Sequence, residues 1–285
     1  MKIAIAQTEI CFEEPEKNLR TAESWIEQAA QEGADAIFFP EMSFTGFSMH
    51  VEKVAAYANP IRQTMCRLAA QEHIAVGYGW TSCKPGGKGE NHYTILGKSG
   101  EVLSDYVKIH PFSYGGEEQF YDSGTEIVHT VLEDFPVSTL ICYDLRFPEL
   151  FRAAAQTSRL IVVPANWLHQ RTEHWRLLLR ARAIENQCYI AGVNCVGDMD
   201  GQTYTGDSRL YGPDGMLCSG EILTPADAQP GECAFIYEID DQVKKVRTQF
   251  PVRKERTETH CTASFMKYKN SHRLTENIQN NRWGR

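Results

Sequence analysis

Short apolar runs alternate along this chain with stretches in which apolar residues recur every three or four positions. Ile3–Gln7, Ala36-Ile37-Phe38-Phe39, Ile74–Trp80, Val137–Cys142, Leu160–Pro164 and Tyr189–Asn194 have the length and side chains of buried strands. Over residues 17–32, Leu19, Ala22, Trp25, Ile26, Ala29 and Ala30 fall on one helical face. Gly33 stands where a left-handed residue would end that helix. Asn59-Pro60 predicts a helix start running to about His73, and helices are also expected over Pro148–Ala155 and residues 171–187. Thr94–Leu103 reads as a hairpin turning at Ser99-Gly100, with a second hairpin turning at Pro213-Asp214-Gly215. Residues 226–231 read as a loop before a last strand, Cys233–Tyr237.

The order β-α-β-α-β, with hairpins inserted, predicts one α/β domain over residues 1–250, its mixed sheets covered by helices. From about Pro251 the chain becomes basic and polar, with few apolar positions. Residues 251–285 are read as a C-terminal extension, either frayed or packed on a partner subunit.

Composition narrows the function classes. Hydrophobic residues make up 42% of the 285, which suits a folded core rather than a disordered chain. Lys and Arg total 29 against 37 acidic residues, a net charge of −8, and no long basic run occurs. Nucleic acid and anionic membrane both need clustered cations, so neither is an expected partner. The nine cysteines are odd in number, and no Cys-x-x-Cys occurs, which argues against zinc-ribbon and thioredoxin-type sites. The N-terminus lacks the apolar region of a signal peptide, and no run approaches membrane-spanning length. A reduced, cytoplasmic protein is expected.

Three strand ends carry candidate chemistry. Glu41 follows a buried strand and a proline in Phe38-Phe39-Pro40-Glu41-Met42. Burial there would raise its pKa and suit it to general-base work. Lys108 lies in the apolar and aromatic run Tyr106-Val107-Lys108-Ile109-His110, where a lysine needs a partner to be buried. Cys142 follows the Val137 strand a few residues before a proline-started helix, the setting of a nucleophile elbow that projects a side chain and frees backbone N–H groups. Taken singly, the ordinary readings are a solvated glutamate, a snorkelling lysine and a structural cysteine.

Taken together, the three segments carry a resemblance. Pro40-Glu41-Met42-Ser43-Phe44-Thr45-Gly46-Phe47, Tyr106–His110 and Cys142-Tyr143-Asp144-Leu145-Arg146-Phe147-Pro148-Glu149 resemble, in order and spacing, the Glu, Lys and Cys motifs of the nitrilase superfamily of carbon–nitrogen hydrolases. Pro164-Ala165-Asn166-Trp167, the helix segment His174–Gln187, and Tyr204–Ser208 with Gly212–Gly215 resemble its supporting segments. The resemblance implies an α-β-β-α sandwich that pairs with a second copy into a four-layer-forming, larger sandwich. It also implies a Cys142–Glu41–Lys108 triad with no metal and no organic cofactor, and a second glutamate placed at Glu117, with Glu118 as the adjacent choice.

Those residue types suit amide hydrolysis. An amide is a poor electrophile with a poor leaving group, so the reaction needs a nucleophile, a proton shuttle and an oxyanion stabiliser. The resemblance assigns these to Cys142, Glu41 and Lys108, with the Tyr143 N–H as a second oxyanion donor and Glu117 holding Lys108 in place.

The cysteine motif resembles the branch of omega-amidases and deaminated-glutathione amidases; nitrilases proper place Trp-Glu after the cysteine, where this chain has Tyr143-Asp144. The resemblance to omega-amidases implies a short dicarboxylic mono-amide as substrate; it carries a carboxylate, so a further cation is expected among Arg146, Arg171 and Arg182. Structural ion pairs are expected for Arg146 and Arg182, which leaves Arg171. Trp167 and Tyr114 are expected to shape the pocket. The run Lys108-Ile109-His110-Pro111-Phe112-Ser113-Tyr114 departs from the omega-amidase Lys-Ile-His-Leu-Phe-Asp, which leaves the substrate open. Other readings are an N-carbamoyl amidohydrolase, a catalytically dead scaffold, and an iron or zinc protein using the cysteines.

Overall fold

The computed structural model of the protein describes residues 1–225 and 228–255. Its first strands are β1 (Lys2–Gln7), β2 (Ala36–Phe38), β3 (Ala75–Cys83), β4 (Gly89–Leu96), β5 (Val102–Val107), β6 (Tyr121–Asp122), β7 (His129–Leu132) and β8 (Phe135–Thr139). There follow β9 (Leu160–Ala165), β10 (Tyr189–Asn194), β11 (Val196–Met199), β12 (Gln202–Thr205), β13 (Arg209–Tyr211), β14 (Glu221–Leu223) and β15 (Cys233–Glu238). The helices are α1 (Pro15–Gln31), α2 (Val51–Ala55), α3 (Ala58–Glu72), α4 (Pro148–Ala154), α5 (Thr172–Asn186) and α6 (Gln242–Gln249).

Two mixed sheets form the frame. One runs β14-β15-β1-β2-β3-β4-β5, with β6 beside β4; the other runs β13-β10-β9-β8-β7. Strands β1, β2 and β3 are parallel, as are β8, β9 and β10, and antiparallel strands flank both sets.

Alternation along the strands sets the layers. Ile3 and Ile5 of β1, with Ala36 and Phe38 of β2, share one core with residues of the second sheet, while Ala4, Ala6 and Ile37 point the other way. That second face meets Trp25, Ile26 and Ala29 of α1 and Ile61, Met65 and Leu68 of α3. Because both faces are covered, the centres of these strands are apolar on both faces rather than at every second position. Leu150 and Phe151 of α4 and Trp175, Leu179 and Ala183 of α5 cover the second sheet. The result is the α-β-β-α sandwich that the resemblance implied.

Most expected elements form, with edges moved by a few residues. Helix α1 begins at Pro15 and ends before Gly33, whose φ is +73°. Helix α3 begins at Ala58, so Pro60 lies within the first turn, where its missing N–H has no helical partner to lose. The hairpin β4–β5 turns through Gly100 at φ +82°. The turn at Pro213–Gly215 exists, but only the single bridge Tyr211–Leu217 closes it, so the expected second hairpin is a tight turn. The short α2, the polar α6 and the hairpin β11–β12 were not foreseen. Residues 256–285, most of the expected C-terminal extension, lie outside the described residues, and so does their expected packing on a partner subunit. Among the described residues, no helix is long and apolar enough to cross a membrane.

Candidate active site

The carboxyl ends of β2, β5, β8 and β9 converge and deliver one candidate side chain each. Glu41 follows β2, Lys108 follows β5, Cys142 follows β8 and Asn166 follows β9. The turn at Glu41 packs against Gly79 of β3, where an added Cβ would lie 2.3 Å from the Met42 nitrogen. That close approach requires glycine at this position.

Lys108 is 1% exposed and lies between two carboxylates. Its Nζ donates to Glu41 Oε1 and to Glu117 Oε2, each at 2.8 Å. Asn91 Nδ2 also reaches both acids, at 2.8 Å from Glu41 Oε1 and 3.1 Å from Glu117 Oε1. The Asn166 N–H donates to Glu41 Oε2 at 2.9 Å, and Asn166 Nδ2 donates to the Glu41 carbonyl at 2.7 Å. The Phe112 N–H donates to Glu117 Oε2. Of the two adjacent glutamates, Glu117 is buried within this cluster and Glu118 is exposed.

Cys142 is 8% exposed and has φ +45°, a left-handed conformation that costs a non-glycine residue energy. The strand ends at Thr139, and a short 3₁₀ turn opens at Cys142. The first hydrogen bond of that turn runs from the Asp144 N–H to the Ile141 carbonyl, at 2.9 Å, so the Tyr143 N–H lies ahead of it.

Buried Asp144 clamps this elbow to the lysine segment. It accepts from the Ile141 N–H at 3.0 Å, the Tyr106 hydroxyl at 2.8 Å and the His110 N–H at 3.0 Å. From the other side, Arg182 donates to the Leu145 carbonyl at 2.8 and 3.1 Å and pairs with Glu185. Arg182 is thus structural, as expected.

Electrostatics set the resting protonation. Burial opposes a charge on Glu41, but the Lys108 ammonium and the donors from Asn166 and Asn91 hold it below the usual carboxylate range. Burial and the charge of Glu41 push Glu117 upward despite Lys108. Burial would lower Lys108, yet Glu117 and Glu41 keep it well above its usual value. Burial, reinforced by Glu41, drives the Cys142 thiol well up against the pull of Lys108. The thiol form is therefore favoured at rest, with Glu41 beside it.

Cys142 opens onto a cavity of about 440 Å³, whose lining includes Phe112, Tyr114, Tyr143, Arg146, Trp167 and Arg171. Trp167 is 5% exposed, and its indole N–H donates to the Arg171 carbonyl at 2.8 Å. The Arg146 guanidinium lies 4.8 Å from the Trp167 ring centre, and that of Arg171 lies 5.2 Å from the ring of exposed Tyr114. Among the described residues, no carboxylate lies within ion-pair distance of either arginine. The ion pair expected for Arg146 is thus absent: aromatic rings flank its guanidinium and hold it toward the cavity. Burial and the neighbouring Arg171 charge lower its pKa. No group of three or more His, Cys, Asp or Glu side chains among the described residues could hold a metal ion.

The sequence reading gave no role to Asn91, Asp144 or Asn166. Asp144 and Asn166 stood inside quoted motifs. The signal for Asn91 was an asparagine, a residue type depleted in strands, within a strand pattern.

Comparison with known proteins agrees with this geometry. The family model for carbon-nitrogen hydrolases matches residues 2–245. The chain is 31% identical to the 2-oxoglutaramate amidase of Bacillus subtilis (strain 168), over 88% of this chain and 95% of that protein. It is 33% identical to the omega-amidase YafV of Yersinia enterocolitica, over 82% and 87%. Among solved structures, XC1258 from Xanthomonas campestris superposes with a TM-score of 0.80 at 25% identity, covering 90% of this chain and 97% of that one. That structure is described as a CN-hydrolase superfamily protein with an arsenic adduct in its active site. With two sheets that bring a buried glutamate and lysine into contact beside a cavity-lining cysteine, and with this match along most of its length, the chain belongs to the carbon–nitrogen hydrolase family and is an amidohydrolase of the nitrilase fold.

Proposed function

We propose that Cys142, Glu41 and Lys108 hydrolyse a small linear amide through a thioester on Cys142. The observation that carries this reading is a Cys142 thiol at a cavity wall beside Glu41, whose Oε1 accepts from Lys108 Nζ at 2.8 Å. As sulfur bonds to the amide carbon, its proton passes to Glu41. The Lys108 ammonium and the Tyr143 N–H face the oxyanion, in a site where burial strengthens both. Glu41 then protonates the nitrogen, the C–N bond breaks, and ammonia leaves. Water, losing its proton to Glu41, attacks the thioester; the carboxylate product departs and the proton returns to sulfur. Glu117 keeps Lys108 in position throughout.

The cavity favours a substrate with a carboxylate, such as a dicarboxylic mono-amide of the 2-oxoglutaramate kind. Arg146 and Arg171 supply two guanidiniums with no carboxylate partner among the described residues, suited to bidentate binding of a carboxylate; Arg146 also contacts His174 Nδ1 at 3.4 Å. Ammonia release from a panel of neutral, carboxylate-bearing and N-carbamoyl amides tests this. Carboxylate-bearing amides are expected to turn over best. Arg146→Ala or Arg171→Ala is expected to raise KM for them by about 10- to 100-fold, leaving neutral amides nearly unchanged. Preference for N-carbamoyl compounds would move the assignment to that class. Turnover of none, with Cys142 alkylating no faster than an ordinary thiol, would favour a non-catalytic scaffold.

We also propose that the chain pairs with a second copy through the outer face of α5. Leu177 and Ile184 are 64% and 51% exposed there, and Ile184 packs on Gly215, next to the exposed Met216 and Leu217. An apolar patch of this kind marks an interface. Sedimentation is expected to give a dimer that Ile184→Glu converts to a monomer; a monomeric native chain would refute the pairing. A reducing compartment, the cytoplasm, would keep Cys142 and the seven other free thiols of the described residues reduced; cell fractionation checks that placement.

A further inference from the structure

We propose that Asn91 is a positioning residue that directs the Cys142 proton to one particular oxygen of Glu41. The proposal rests on the reading of Cys142 and Glu41 given above and extends it to a residue in the middle of β4.

Each carboxylate oxygen has two lone pairs to offer donors. Glu41 Oε1 accepts from Lys108 Nζ and from Asn91 Nδ2, both at 2.8 Å, so it is full. Glu41 Oε2 accepts from the Asn166 N–H at 2.9 Å and only over a long 3.5 Å from Asn166 Nδ2, so its second acceptor position is weakly held. Oε2 is thus the less firmly occupied oxygen, and the thiol proton goes there. Asn91 thereby closes the competing proton seat on Oε1. Its second amide hydrogen goes to Glu117 Oε1 at 3.1 Å, which holds the two acids at a fixed separation. Its backbone carbonyl accepts the Lys108 N–H at 2.9 Å, so one residue ties the lysine and both glutamates together.

The orientation of this amide is informative. Asn91 Oδ1 is buried without a hydrogen-bond partner, an arrangement that folded proteins seldom keep. Turning the amide over would set that oxygen against two carboxylate oxygens, which is worse. The fold therefore keeps an unpaired acceptor in order to place an NH₂ group between two acids. Neither aspartate nor leucine, of similar size, could make those two donations.

The charged and titratable groups around Glu41 are Lys108, Glu117, Cys142 and Cys195, with Tyr121 and Tyr204 also sensing its charge. Asn91 is one of the donors that hold Glu41 below the usual carboxylate range. Without it, Glu41 binds a proton more readily, and the base is lost at a higher pH.

The test is the rate at which iodoacetamide alkylates Cys142, followed by peptide mass spectrometry across pH. It uses the native chain, Asn91→Ala, Asn91→Asp, Asn91→Ser and Glu41→Gln, each checked by thermal melting. Asn91→Ala and Asn91→Asp are expected to move the acidic limb up by about one pH unit or more. Asn91→Ser keeps one donor at lower bulk and is expected to move it less. A uniform loss of rate with the limb unmoved, in any variant that melts like the native chain, would reduce Asn91 to a packing role and overturn the proposal. The Glu41→Gln arm separates the two levels. If it keeps the native limb, Glu41 is not the base and the underlying reading fails. If it loses the limb while the Asn91 variants keep theirs, only the role of Asn91 fails.

Discussion

Cys142→Ala is expected to abolish amide turnover, by at least about 10⁴-fold in kcat, while leaving the fold and the melting temperature close to native. The side chain lost is small, and its sulfur borders a cavity rather than a packed interior, so little apolar contact disappears with it. Relief of the left-handed strain is not expected, since alanine also carries a Cβ at φ +45°. What disappears is the atom that forms the covalent intermediate. Mass spectrometry of the native chain mixed with a turned-over amide should show an acyl adduct on the peptide carrying Cys142, and none on the variant. Retained ammonia release by Cys142→Ala would show that water attacks the amide directly, and the thioester scheme would be abandoned.

Lys108→Met has the second large effect, and it falls on stability as well as rate. Methionine nearly matches lysine in shape, but the substitution leaves Glu41 and Glu117 facing each other, buried, with no cation between them. Removing one partner from a buried ionic cluster costs about 3–5 kcal/mol. For a domain of this size that corresponds to a fall of about 10 °C in Tm.

The sign of the pH dependence follows. In the native protein Lys108 is the main influence holding down the pKa of Glu41. Without it, burial and mutual repulsion raise both acids above their unfolded value of about 4.3. A group whose folded pKa is raised contributes full stability below its unfolded pKa and loses it as pH rises through the folded pKa. The Tm deficit of Lys108→Met is therefore expected to shrink as pH falls from 8 toward 5, and thermal melts at both values check this. A deficit that grows on acidification would mean that the acids stay ionised without the lysine.

The sequence by itself determined the alternation of strands and helices and singled out the candidate reacting groups. Strands apolar on both faces require cover on both, and helices with one apolar face supply it, so helix-covered sheets follow from local pattern, while the α-β-β-α sandwich came with the family resemblance. Glu41, Lys108 and Cys142 stood out as a set, three strand-end residues whose motifs together resemble one family. Hydrophobic pattern does not encode position across the chain, and there the tertiary structure decided. Only the packed sheets bring Asn91, 50 residues from Glu41 in sequence, to donate to it, and bury Glu117 while its neighbour Glu118 faces solvent. Only they leave Arg146 over an indole ring with no carboxylate beside it, where sequence logic expected an ion pair. Short elements such as α2 and β11–β12 escaped notice because a few residues carry too little periodicity to register, and their packing against distant strands gives them their form.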